Sequence, residues 1–446
     1  MAEVAEVRGR RREQRGWYFY DWANSAFSTT VATVFLGPYL TSVTEKAADA
    51  RGFVHPLGIA VRDGSFFPYD VSLSVFLTVF VLPVVGAIAD RTQRKKQMLA
   101  TFAYLGAFAT MGLFFVSGGR YLLGGALFIV ANVSFGAAAV VYNAYLPEIA
   151  EPDERDAVSA RGWAMGYLGG GLLLAANLVL FNAHARLDVS EGEAVRICLL
   201  SAGIWWAAWT VIPLRRLRRH RPAPALPESG SVVTAGFRQL RETFREARNY
   251  PLTLAFLLAY LIYNDGIQTV ITLASVYGDK ELDLPTSTLI TAILVVQFVA
   301  FGGALLFGRL ARAYGARNAV LFSLVLWTIA VALAFVLPAR RALLFFSLAI
   351  LIGVVLGGSQ ALSRSMFSQL IPVGREAAYF SLYEISERGT SWLGPLVFGV
   401  TYQATGSYRS AIISLIVFFA VGGVLLARVN LRRAIEAAGN RVPERV

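Results

Sequence analysis

The sequence predicts an all-α integral membrane protein, with twelve transmembrane helices in two sets of six and both termini cytoplasmic. Three observations predict it. Of 446 residues, 56% are hydrophobic and only 16% charged, with a mean hydropathy of +0.55, whereas soluble domains carry about 25% charge. Apolar runs of about 20 residues recur along the chain, long enough to cross a hydrocarbon core about 30 Å thick at about 1.5 Å per residue. One long polar stretch divides these runs six and six.

The first run, 17–43, follows the basic stretch RGRRREQR at 8–15. Its apolar part is too long for a signal-peptide core and no small-residue cleavage site follows, so the basic stretch reads as a cytoplasmic anchor. Runs at 67–89, 97–117, 121–145, 159–183 and 195–214 complete an N-terminal six-helix domain over 1–214. Residues 215–250 form a cytoplasmic linker that starts basic, passes through a Pro/Ala/Gly/Ser stretch and ends in a charged surface helix. Runs at 252–277, 286–308, 318–337, 342–363, 377–404 and 408–429 make a C-terminal six-helix domain over 251–446. A transmembrane β-barrel would show alternating strands of about ten residues, and none is present.

Charge supports this topology. Of the 41 Lys and Arg residues, 30 fall in segments assigned to the cytoplasm and 10 outside, with Arg388 inside a run; an excess of basic residues inside is the expected bias. The net charge of +12 therefore belongs to helix ends facing anionic lipid, and nucleic-acid binding is excluded as a function. The single cysteine, Cys198, permits no internal disulfide, and His55, His184 and His220 are scattered in loops. No metal site, cofactor site or catalytic Ser-His-Asp or Cys-His set emerges, so the chain is read as a non-enzyme without cofactors. With 37 Arg against 4 Lys, the composition suggests a GC-rich bacterial genome and hence a bacterial cytoplasmic membrane.

The two halves echo each other. GAIADRTQRKKQML at 86–99 follows the second run and GRLARAYGARNAVL at 308–321 follows the eighth. Gly86 matches Gly308, an apolar pair follows, and a basic turn closes each copy, with Asp90 replaced by Arg312. The first copy resembles the loop-2/3 signature of the major facilitator superfamily. YDWANSAF (20–27), VVYNAYLPEIA (140–150), GWAMGYLGGGLLL (162–174) and the stretch 357–399 resemble its vacuole-effluxer branch, which is named for a fungal vacuolar amino-acid exporter linked to autophagy. Arg312 and the charged EISERGT at 384–390 depart from the pattern. The resemblance implies two six-helix bundles around a central cavity lined by runs one, four, seven and ten, with alternating access by rocking of the bundles.

Polar residues within the runs are the candidate site, because charge near the bilayer centre costs on the order of 3 kcal/mol and needs a partner, water or a role. In run one, Asp21, Asn24, Ser25 and Ser28 share a helical face; in run seven, Asp265, Gln268, Thr269 and Thr272 repeat acid, amide, hydroxyl, hydroxyl. Asp265 reads as a substrate or proton-coupling residue, or as a structural bond to a neighbouring helix. Asp21 lies shallower and reads mainly as a gate residue, partnered by Arg161 or Arg364. Asn132, Tyr142 and Asn143 in run four and Gln360 in run ten complete the expected substrate-binding set. Arg364 reads as a snorkelling cation or a gate residue. Glu384 and Arg388 form an i, i+4 ion pair, and Glu387 is a second proton-coupling candidate, since a carboxyl in low dielectric can exchange a proton in the working range. Gly162, Gly166 and Gly170 make a small-residue packing stripe. Asp90 with Arg91, Arg94, Lys95 and Lys96 reads as a steering cluster at the inner gate.

The function expected is that of a secondary transporter moving a small polar solute, with amino acids as the class implied by the resemblance and a proton as a coupling ion. Partners are the solute and membrane lipid. The alternative is a lipid-moving or receptor protein on the same fold.

Overall fold

The computed structural model describes residues 2–92, 94–218, 241, 245–388 and 393–445. Nearly all of them are helical. The N-terminal half contains α1 (Ala2–Ala26), a π-helical stretch (Phe27–Phe35), α2 (Leu36–Ala47), α3 (Asp63–Arg91), α4 (Lys95–Gly112), α5 (Tyr121–Asn143), the short α6 (Leu146–Ile149), α7 (Arg155–Asn182) and α8 (Glu191–Arg216). The C-terminal half contains α9 (Pro251–Lys280), α10 (Thr286–Tyr314), α11 (Ala316–Val336), α12 (Ala342–Gln369), α13 (Glu376–Arg388), α14 (Leu393–Thr405), α15 (Tyr408–Ser414), α16 (Ile416–Arg428) and α17 (Leu431–Ala437). A two-stranded hairpin, Phe53–Val54 with Val61–Arg62, closes the loop before α3.

Among the described residues, eleven helical stretches are long and apolar enough to cross a membrane. The expected run at 377–404 is built instead from α13 and α14, of 13 residues each. Residues 389–392, between them, lie outside the described residues, as does most of the expected linker helix. Glu384, Glu387 and Arg388 make α13 too polar for an uninterrupted apolar span. The basic stretch at 8–15 is helical and continues α1. Both ends of the chain meet the loop before α7: Arg10 pairs with Glu151, and Glu444 N–H donates to Asp153 at 2.7 Å. This is the termini face below; the opposite side is the outer face.

Small residues set the packing. A Cβ on Gly162 would lie 2.6 Å from Trp17, and on Gly166 2.8 Å from Ser25 Oγ, both on α1. The predicted stripe therefore lets α7 press against α1, in the manner of close-packed membrane helices. The two glycines matched between the halves have a shared reason. Gly86 on α3 meets the backbone of Ala377 on α13, and Gly308 on α10 meets Ala160 on α7. Each sits where one half crosses the other, so a side chain there would wedge the halves apart.

Candidate functional site

Polar contacts between the halves concentrate toward the termini face. The first cluster centres on Arg364, which α12 carries into a buried position, 3% exposed. Its guanidinium lies 3.2 Å from Asp21 Oδ2 and donates to Ser159 Oγ at 2.9 Å and Ser159 O at 3.0 Å. Three aromatic rings surround it, with centroids 4.6 Å (Trp17), 5.3 Å (Trp163) and 5.6 Å (Tyr142) away. Cation–π contact of this kind strengthens when water is excluded. Tyr142 donates to Asp21 at 2.7 Å and stacks on Trp17 at 4.4 Å. Asn143, one residue on, donates to Glu384 at 2.7 Å and accepts from Arg364 at 3.4 Å. Glu384 also holds Arg388 at 3.1 Å, and Arg388 lies over Phe135 at 4.6 Å. The chain Asp21, Arg364, Asn143, Glu384, Arg388 thus crosses between the halves three times. A buried pair needs this many partners, because desolvation of both charges must be offset.

A second cluster ties α3 to α13. Asp90 accepts from the backbone N–H groups of Ala377 and Ala378 at 2.9 and 2.7 Å, capping the first turn of a helix in the other half. Carboxylates are favoured at a helix N-terminus by both hydrogen bonding and the helix dipole. The cation that completes this cluster is Lys95, at 3.7 Å from Asp90, 2.6 Å from Glu148 and 3.6 Å from Glu376. Of the other expected cations, Arg91 is half-buried, Arg94 is exposed, and Lys96 donates to Leu217 O at 3.0 Å. A third cluster was not anticipated. Arg155, 6% exposed, donates to Ser368 O at 2.8 Å and Gln369 at 3.2 Å, Ser159 donates to Ala361 O at 2.7 Å, and Ser365 bonds Asp156. Arg155 and Asp156 sit in a charged loop-to-helix stretch that resembles an ordinary helix start, so sequence gave no reason to single them out.

Toward the outer face lies a cavity of about 460 Å³, within the range of about 300–1,000 Å³ typical of ligand sites. Helices α9 to α12 form most of its wall, with Ala32 and Thr33 contributed by the π-helical stretch. That stretch has wider hydrogen bonding: Leu36 N–H donates to Val31 O, five residues back, and Thr33 Oγ1 donates to Ser28 O, again five back, at 2.7 Å. Interruptions of this type concentrate at functional positions.

The expected substrate set divides between these places. Gln268 and Thr272 line the outer cavity. Asp265 and Thr269, expected on the same face, turn instead to α14: Gly394 N–H donates to Asp265 Oδ2 at 2.6 Å, and Thr269, which donates to its own helix at Asp265 O, lies against Gly394. Gln360 donates to Asn264 at 2.7 Å. Asn132 donates to Ser74 at 2.8 Å on the α3–α5 contact. Asn24 is buried, and Ser28 donates to its own helix at Ser25 O. Asp21, Tyr142 and Asn143 belong to the closed network. Arg161 is exposed, so Asp21 takes Arg364 as its partner. Glu387 is half-buried beside Tyr260, Glu384, Arg388 and Arg364. A buried acid not singled out in the sequence, Asp70 on α3, is 7% exposed, with Oδ2 lacking a hydrogen-bond partner.

Comparison with known proteins bears on the family and the fold. A family model described as "Vacuole effluxer Atg22 like" matches residues 9–439. An uncharacterized MFS-type transporter YxiO of Bacillus subtilis is 30% identical over 419 residues, covering 93% of this chain and 94% of that one. Autophagy-related protein 22 of Yarrowia lipolytica is 30% identical over 471 residues, covering 85% and 78%. Among solved structures, an outward-facing bacterial homologue of the iron transporter ferroportin aligns with a TM-score of 0.65 at 15% identity over 94% of this chain and 98% of that one. The major facilitator transporter FucP in its outward conformation aligns with a TM-score of 0.65 at 10% identity, covering 94% and 97%. At these identities the structural likeness concerns the fold.

Proposed function

The chain belongs to the Atg22-like vacuole effluxer family of the major facilitator superfamily, whose members are membrane transporters rather than enzymes, and from that premise we propose that it moves a small polar solute by alternating access. The carrying observation is the asymmetry across the molecule. Three clusters bond the halves together toward the termini face, while a cavity lies toward the outer face. That is the arrangement expected of one end state of a rocking transporter. In this reading the termini face is cytoplasmic, in keeping with the basic-residue bias, and the membrane is the bacterial cytoplasmic membrane. The domains are the two six-helix bundles, 1–214 and 251–446, joined by a linker.

Amino acids are the first solutes to test, and a proton the first coupling ion. Glu387 is the better-supported coupling residue, because it neighbours the network that must open. Asp265 has a competing structural use as the cap of α14. The test is counterflow of a labelled amino-acid mixture into proteoliposomes, with and without an imposed proton gradient. Uptake that the gradient stimulates, and that Glu387→Gln uncouples from the gradient, supports both parts. No uptake by folded, monodisperse protein removes the amino-acid reading.

A further inference from the structure

Away from the outer cavity, α1 and α8 form an aromatic seam near the termini face. On α1, Arg12, Arg15, Phe19 and Trp22 follow one another at spacings of three and four residues and so share one stripe. On α8, Trp205, Trp209 and Arg216 fall at i, i+4 and i+11, a stripe that runs the other way. The two stripes meet. Phe19 stacks on Trp209 at 5.7 Å, Trp22 stacks on Trp205 at 5.5 Å, and the Arg216 guanidinium lies 5.9 Å from the centre of the Phe19 ring. Gly16 permits this approach, since a Cβ there would lie 2.6 Å from Arg216 Cβ. The four rings and Arg216 are half-buried, and Arg12 and Arg15 are exposed. Along the helix axes the rings lie about 6–16 Å deeper than Arg15 and Arg216.

These cations are uncompensated. Among the described residues, none of the three pairs with a carboxylate. Glu13 is buried and accepts from Arg218 N–H at 2.7 Å, and Glu151 is held by Arg10. Lys95 and Arg364, by contrast, have acids of their own.

We propose that this seam is a site for one anionic phospholipid of the leaflet at the termini face. Its phosphate sits among Arg12, Arg15 and Arg216, and its glycerol and upper acyl chains lie on the four rings. Charge selects this occupant, because guanidinium forks suit phosphate oxygens and no acid is at hand to replace them. The rings select a lipid over free phosphate, since they offer apolar surface at the depth where acyl chains begin. Basic helix ends attract anionic lipid in general; this seam adds an aromatic floor to the charge. The inference is independent of the transported solute. The opposite face of α1 carries Trp17 and Asp21 into the Arg364 network, so the lipid holds this helix from outside as the network holds it from within.

The test is photolabelling of the purified full chain in phosphatidylcholine nanodiscs. A trace of phosphatidylglycerol or phosphatidylcholine carries a diazirine high on one acyl chain, and adducts are mapped by peptide mass spectrometry. The expected result is a preference for phosphatidylglycerol at residues 19–22 and 205–209 that is several-fold greater than at other helix ends on the termini face. A basic side chain at the bilayer surface favours an anionic lipid about fivefold. Arg15→Gln with Arg216→Gln should therefore cut the preference at the seam about 25-fold and leave it unchanged at the other helix ends, while Arg15→Lys with Arg216→Lys should retain most of it. Thermal unfolding checks each variant; if the double replacement does not fold, Arg12→Gln, beyond the helix contact, should cost about fivefold. Equal labelling of the seam by both lipids, the same preference at every helix end, or an undiminished preference in the glutamine variants would each overturn the proposal.

Discussion

Replacing Asp90 by alanine should open the termini face. In the structure this carboxylate accepts two backbone hydrogen bonds from the first turn of α13, at 2.9 and 2.7 Å, and helps hold Lys95. The acid belongs to one half and the helix to the other, so these bonds exist only while the faces meet. Hydrogen bonds to charged groups contribute about 1.5–3 kcal/mol each. Allowing for water reaching the freed N–H groups once the face parts, the closed state should lose about 2–4 kcal/mol, or about 30- to 700-fold in the closed-to-open ratio. Asp90→Asn retains an oxygen acceptor and should shift the ratio by about tenfold, one ordinary hydrogen bond. The readout is a thiol at Ser368→Cys, a near-isosteric change at a position 1% exposed on the closed face, in a background where the buried Cys198 is replaced by serine. Its rate of alkylation follows the open population. A rise of about 30-fold or more in Asp90→Ala is expected; a rate within about twofold of the parent, in folded protein, would refute the reasoning.

Three further outcomes are expected. Asp21→Asn or Arg364→Met alone should cost about 3–5 kcal/mol, because each strands a buried charge, and the double replacement should recover much of it in a thermal-unfolding mutant cycle. Gly162→Ala should cost about 1–3 kcal/mol by overpacking, since its Cβ would lie 2.6–2.9 Å from Trp17, Asp21 and Arg364; Gly302→Ala, with nothing within 4 Å, should be neutral or stabilising in the same assay. Asp265→Asn should keep an acceptor for Gly394 N–H and unfold much like the parent, whereas Asp265→Ala should lose about 1–2 kcal/mol of capping. Retained gradient stimulation in Asp265→Asn would show the residue to be a cap and not a proton carrier.

The spans were legible because a bilayer of fixed thickness demands helices of fixed length, and eleven of the expected runs reappear as long helices. The matched Gly86 and Gly308 were legible as a repeat, and only the structure shows that both mark crossings between the halves. Helical periodicity grouped Asp265, Gln268, Thr269 and Thr272 on one face, but a helical face is broad. Packing divided it, giving residues 265 and 269 to α14 and residues 268 and 272 to the cavity. The pairing of Asp21 with Arg364 spans 343 residues; the sequence offered Arg161 and Arg364 as alternatives, and packing chose between them. The π-helical stretch FSTTVATVF has no glycine or proline to announce it. Its only local trace is a threonine placed five residues after a serine.

Two seams between the halves are not fastened alike. Where α3 meets α13, one acid holds two backbone amides. Where α7 meets α12, a buried arginine, a serine and an aspartate within one turn of α7 bond carbonyls and side chains along about two turns of α12. The equivalent of Asp90 in the second half is the exposed Arg312, so duplication has kept this acid at one seam only. The amides of Ala377 and Ala378 lose their cross-half acceptor when Asp90 is removed, and should exchange with deuterium faster in Asp90→Ala than in the parent.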